Sequence, residues 1–254
     1  MDVDCLMGTS GRHSLVCEAL ACFLSQTALS RATLLIYNQH PIPLLFSHPN
    51  VRVVNEAPPR GSLRFIRHRM HELARPTANF IHWWDDDDLY LPWHLEQCLE
   101  HIGQSVAWKP ASSWISLRNE EFSRHVNTFE GAWIFSSGYV KAAPLDTHPL
   151  YTDHPIIRQT EEAKLLATTE LGGRTSYIYR WANGAEHVSA YRGLCTEEAQ
   201  EENLNAWRSL STDIREDGEL APADLTPRWR EYLDGIKHQV TEDEWQLNRR
   251  GLKL

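Results

Sequence analysis

Asn79-Phe80-Ile81-His82-Trp83-Trp84-Asp85-Asp86-Asp87-Asp88-Leu89-Tyr90-Leu91-Pro92 sets four consecutive carboxylates directly after a strand-like apolar run. Like charges this close repel one another, and burying them unpaired is costly. A solvated acidic loop is the ordinary answer to that problem. Here, however, tryptophans precede the run and Leu-Tyr-Leu-Pro-Trp follows it. Hard divalent cations take carboxylate oxygens and commonly bring a phosphate with them, so the run reads as a metal site. Asp85 and Asp87, two apart on an extended segment, point the same way.

Upstream, Val3–Met7 is a short apolar strand that stops at Gly8-Thr9-Ser10-Gly11-Arg12. Apolar residues at Leu15, Val16, Ala19, Leu20, Phe23 and Leu24 repeat at helical spacing and predict a helix over His13–Ser25. Ala32–Tyr37 and Val51–Val54 read as strands, Gly61–Arg75 as a helix and Phe80–Trp84 as a fourth strand. Strands alternating with helices imply a mostly parallel sheet with right-handed crossovers. Ligands of such sheets sit at the carboxyl ends of the strands. The Gly8–Arg12 loop, the Asn38 turn and the acidic run all follow strands, so all three converge on one crevice.

Downstream, a helix is expected from Pro92 to about Ile102, a β-rich region over Val106–Val140, and a helix over Thr160–Glu170 with Thr160 as N-cap. Ser176–Trp181 reads as a further strand. From Thr196 the composition turns polar, with helical stretches near Glu197–Leu210 and Arg228–Val240. This gives a domain over 1–195 and a helical extension over 196–254 packed on it.

The 254 residues suffice for a substantial core, and the ten tryptophans suit both a core and a site that stacks rings. A net charge of −9 argues against whole-surface nucleic-acid binding. Cys5, Cys17, Cys22, Cys98 and Cys195 are odd in number and lack CxxC spacing, so neither a disulfide framework nor a zinc site is indicated. The first residues do not form a signal peptide, and no stretch approaches a membrane span, so a cytoplasmic protein is expected.

These pieces resemble the GT-A glycosyltransferases, particularly the large family 2 class. The matching segments are CLMGTSGR, LACFLSQT with its Ser-Gln pair, ATLLIYN, FIHWWDDDDLYLP and, later, IYRWANGAEHVS. They cover roughly residues 3–190. The resemblance implies a Rossmann-like GT-A fold, a nucleotide-diphosphate sugar donor (a UDP-sugar foremost), a hydroxyl acceptor, a Mn²⁺ or Mg²⁺ cofactor and inversion at the sugar. A glycan or lipid-linked sugar is the default acceptor, and a hydroxylated base of viral DNA the minor one.

On that resemblance, Asp87 is the direct metal ligand, Asp85 reaches the ion or the ribose, Asp86 belongs to the donor site and Asp88 approaches the sugar. His187 is the third ligand. Gly8, Thr9, Arg12 and Asn38 line the nucleotide, although family members commonly carry acidic residues where Asn38-Gln39 stand. Arg64, Arg67, His68, His71 and Arg75 form one basic helix stripe, with Arg64 placed on phosphate. Glu162 and Glu161 are the candidate bases, with Asp153 behind them, and Trp133 stacks on the acceptor. Two readings compete with a transferase: a nucleotidyltransferase, for which Gly8–Arg12 is a poor triphosphate loop, and a non-catalytic nucleotide- or glycan-binding module.

Overall fold

A computed structural model describes residues 2–9, 13–56, 63–117, 121–126, 130–142, 160–161, 163–181, 218–220 and 225; within these, the side chains of 63–65, 116–117, 121–123, 130, 142, 173 and 180–181 lie outside the description. The first half follows the sequence closely. β1 (Val3–Thr9), α1 (His13–Leu24), β2 (Ala32–Asn38), β3 (Val51–Asn55), α2 (Leu63–Leu73), β4 (Phe80–Trp83), β5 (Leu89–Tyr90) and α3 (His94–His101) run in that order. They are followed by β6 (Ala107–Pro110), β7 (Ser112–Leu117), β8 (Glu121–Val126), β9 (Ile134–Ser136), α4 (Ser137–Ala142), β10 (Leu166–Thr169) and β11 (Tyr177–Trp181).

A seven-stranded sheet in the order β10-β6-β9-β4-β1-β2-β3 forms the centre, and β5-β11-β7-β8 form a second sheet of four. β1 pairs parallel with both β2 and β4, and β3 extends the parallel set beyond β2. β9 alone runs against its neighbours β4 and β6 in the large sheet. Because helices cover both faces of β1, the strand is buried nearly throughout and reads as a continuous apolar run. Its alternation still sorts the faces. A Cβ on Gly8 would meet Ile66 and Met70, so Gly8 and its even-numbered neighbours face α2. Val3, Cys5 and Met7 face the other side.

β4 sorts its residues in the same way. Trp83 turns to α2, where His71 stacks on it at 4.8 Å, and His82 turns to α3. Trp84 follows β4 and packs between Tyr90, stacked at 3.8 Å, and Phe23 of α1, edge-on at 5.6 Å. Its indole N–H donates to the Ala19 carbonyl. The Ser-Gln pair has a structural use here. Gln26 donates to the Cys22 and Leu91 carbonyls and accepts from the Leu95 amide, so it clamps the end of α1 to the chain leaving the acidic run.

One element departs from expectation. Among the described residues of the anticipated Thr160–Glu170 helix, Thr160 and Glu161 alone are helical, and Leu166–Thr169 instead forms the sheet-edge strand β10, paired parallel with β6. The paired threonines Thr168-Thr169 suit a strand, and the partner offered by β6 outweighs the weak helical pattern. Thr160 is no N-cap: it is fully buried inside the short turn, and its hydroxyl donates to the Tyr139 phenol.

The polar C-terminal stretch meets the domain at Gly218–Leu220, where Glu219 bridges Leu45 and Leu220 joins the core. Gly218 sits at φ +67°, and a Cβ there would lie 1.8 Å from the Pro43 carbonyl oxygen, so only glycine fits. The helices expected near 197–210 and 228–240 lie outside the described residues. No helix among the described residues is long and apolar enough to cross a membrane.

Candidate active site

The four aspartates form the turn between β4 and β5 rather than an extended segment, yet their exposure alternates as the sequence implies. Asp85 and Asp87 are partly exposed, while Asp86 and Asp88 are 2% exposed. The run therefore divides into two carboxylates that meet solvent and two that meet protein. Tyr177 on β11 donates to Asp88 Oδ2. Tyr90 on β5 accepts from the Asp85 amide at 2.9 Å. Burial, with the nearby aspartates adding to it, pushes both phenols well above their ordinary range, so they remain protonated donors. The second sheet thus fixes the acidic turn from below.

Arg67 on α2 supplies the cation. Its Nη2 lies 3.0 Å from Asp85 Oδ1, and its guanidinium sits 4.3 Å above the Trp83 ring. The basic helix stripe is therefore turned partly inward. Arg67 is 7% exposed, His71 stacks on Trp83, and Arg75, beyond the end of α2, pairs with Asp4. The side chain of Arg64, expected on phosphate, lies outside the described residues.

His71 carries no charge at neutral pH. Burial, with Arg67, His68 and Lys141 adding repulsion, lowers its imidazole to about 4. Its ordinary value near 6.5 returns on unfolding, so the stabilisation is complete above about pH 6.5 and is lost as pH falls toward 4. His71→Phe keeps a ring on Trp83 and is expected to reduce the pH slope of urea stability in that window by about 1.4 kcal/mol per pH unit. An unchanged slope would contradict a neutral His71.

Gly131, in the helical turn Glu130–Ala132 before β9, closes the other side of the turn. A Cβ there would stand 2.7 Å from Asp85 Oδ2, 2.8 Å from the Tyr177 hydroxyl and 3.2 Å from that of Tyr90. Gly131 is thus the wall against which Asp85 rests. Trp133, expected to stack on the acceptor, is 1% exposed, with Phe135 stacked beside it and Lys109 Nζ 4.7 Å over its ring. It is a wall of the core and offers no free face. Glu161 is exposed and pairs with Lys109 at 3.5 Å.

At the carboxyl ends of β1 and β2, where the nucleotide was expected, Gly8 and Thr9 lie beside Asn38. Among the described residues, the buried Thr9 hydroxyl has no hydrogen-bond partner. The Asn38 side chain, by contrast, is occupied internally: it donates to Ile42 and Asn55 and accepts from the His40 amide. Arg12, Asp153, Glu162 and His187 lie outside the described residues. Tyr90, Tyr177 and Arg67 were not singled out by the sequence as parts of the acidic site. Arg67 had a weak signal, the aromatic Trp83 that a buried guanidinium could cover.

No protein-family model and no curated protein matches the sequence. Solved structures do. Residues 1–349 of S. aureus TarS in complex with UDP superpose with a TM-score of 0.56 at 11% identity, over 99% of this chain and 79% of that one. The complex of the same fragment with UDP-GlcNAc gives 0.54 at 14% identity, over 98% and 79%. A further crystal structure of the fragment gives 0.53 at 10% identity, over 99% and 87%. With β3-β2-β1-β4 parallel and the acidic run leaving β4, the chain has the GT-A fold.

Proposed function

We propose that the protein is a metal-dependent glycosyltransferase that moves a sugar from a nucleotide diphosphate, UDP foremost, to a hydroxyl acceptor. The observation that carries this reading is the partly exposed Asp85–Asp87 pair at the carboxyl end of β4, with the Arg67 guanidinium beside it. Binding of UDP and UDP-GlcNAc by TarS, on the same fold, supports the choice of nucleotide.

The residues fit a hard divalent ion. Asp87 and Asp85 offer carboxylate oxygens toward solvent, while Asp86 and Asp88 are committed to the interior. Asp87 is the principal ligand and Asp85 the second, with His187 the third ligand that the resemblance implies. Such an ion, Mn²⁺ or Mg²⁺, supplies Lewis-acid stabilisation to the departing diphosphate. Arg67 adds a fixed positive charge close to where negative charge accumulates. Thr9 and the end of β1 hold the nucleoside. Inversion requires a carboxylate to take the acceptor proton. Glu162 and Glu161 remain the assigned pair, Glu161 being held by Lys109.

A glycan suits the acceptor side better than DNA. The −9 net charge disfavours a polyanion, and the basic stripe of α2 directs Arg67 and His71 inward. Incubating the protein with UDP-sugars and manganese, and measuring release of UDP, tests the reading. Metal-dependent release is expected; none from any nucleotide sugar would leave a binding module.

Arg67→Ala is expected to weaken UDP binding about 10- to 100-fold, the worth of a charge-assisted contact to phosphate. Arg67→Lys should recover only part of this, since an ammonium neither forks nor lies flat on Trp83. Unaltered affinity in Arg67→Ala, measured by calorimetry, would remove Arg67 from the donor site.

A further inference from the structure

A second cluster of potential metal ligands lies on the opposite face of β4 from Arg67. The β1–β4 register sets Cys5 directly beside His82, so both side chains leave the same face of the sheet. α3 covers that face and presents His94 and Cys98 one turn apart. His82 Nε2 and His94 Nε2 are 2.8 Å apart, and Cys98 Sγ is 3.6 Å from His94 Nε2. The ligand atoms of His82, His94 and Cys98 all lie within 4.8 Å of one another. All four residues are fully buried.

We propose that the clustered His82, His94 and Cys98, completed by Cys5 from the neighbouring strand, form a structural zinc site that ties β1, β4 and α3 together behind the acidic turn. Two imidazoles and two thiols are the soft and borderline donors that zinc selects, whereas manganese and magnesium select the carboxylates on the other side. Bond lengths near 2.0–2.1 Å to nitrogen and 2.3 Å to sulfur put tetrahedral nitrogen and sulfur ligands about 3.6 Å apart. The Cys98–His94 separation matches this. Two nitrogen ligands stand about 3.3 Å apart in the same geometry, so the imidazoles part by roughly half an ångström around the ion.

The outer contact is also in place. His94 Nδ1 lies 2.9 Å from Ser176 Oγ. Donation from Nδ1–H to that hydroxyl leaves the Nε2 lone pair for the metal. Binding expels the two thiol protons, and the closed surroundings mean that the ion is taken up as the chain folds. The sequence conceals the set because only His94 and Cys98 are close along the chain.

The test is metal analysis of the full chain produced in zinc-supplemented and, separately, cobalt-supplemented medium. About one equivalent of zinc per chain is expected, and the cobalt protein should show the intense visible bands of a tetrahedral site with a thiolate-to-metal band in the near ultraviolet. Cys98→Ser and Cys5→Ser should each reduce that near-ultraviolet band, while Asp87→Ala retains it. The wild-type measurement stands whether or not those variants fold. Wild-type protein holding less than about a tenth of an equivalent of either metal would overturn the assignment, as would a thiolate band untouched by Cys98→Ser.

Discussion

Asp87→Ala is expected to lower metal-dependent sugar release from a UDP-sugar by about a thousandfold or more, equivalent to roughly 4 kcal/mol of transition-state stabilisation. The size of the loss follows from the division of labour in the acidic turn. Asp86 and Asp88 are buried, with Asp88 held by Tyr177, so neither can swing out to replace the missing carboxylate. Asp85 remains, but one of its oxygens is paired with Arg67. The fold should survive, because Asp87 is partly exposed and removing it relieves repulsion within the run. Steady-state rates with and without manganese measure the effect. A variant that keeps its metal-dependent rate would show that the ion is held elsewhere.

Gly131→Ala is the smallest change expected to have a comparable consequence. The added methyl enters a space bounded by the Asp85 carboxylate and the Tyr177 and Tyr90 hydroxyls, at separations no real Cβ tolerates for the first two. Neither phenol yields readily. Tyr177 is bonded to Asp88, and Tyr90 to the backbone of Asp85, and both rings are buried. Asp85 is the group with room to move, and on the proposed function it moves away from the ion it would hold with Asp87. Donor turnover is expected to fall about a hundredfold, while overpacking costs about 1–3 kcal/mol of stability. Wild-type turnover in Gly131→Ala would mean that the contact does not position the acidic turn.

The first half of the fold was legible because its signals are local. Continuous apolar runs give β1 and β2, helical spacing gives α1, and the Ser-Gln pair marks the end of that helix. The position of the acidic turn, and its alternation between solvent and interior, were legible for the same reason. The remainder depends on partners distant in sequence. Nothing near Thr168 reveals that β6 will pair with it, nor does the Leu63–Leu73 sequence state which side of α2 faces Trp83. Tyr90 and Tyr177 meet the aspartates only once β5 and β11 have paired antiparallel. Trp133, expected at the acceptor, is buried, and the sequence around a tryptophan reads the same for a stacking surface and a core wall.

The most direct measurement is calorimetric titration of UDP and of GDP, each with and without manganese, into the wild-type protein. UDP binding that requires manganese, with GDP weaker, is the result expected of a UDP-sugar transferase with its ion on Asp87 and Asp85. Failure of either diphosphate to bind in the presence of manganese would contradict the account and return the acidic turn to a solvated patch on a GT-A scaffold.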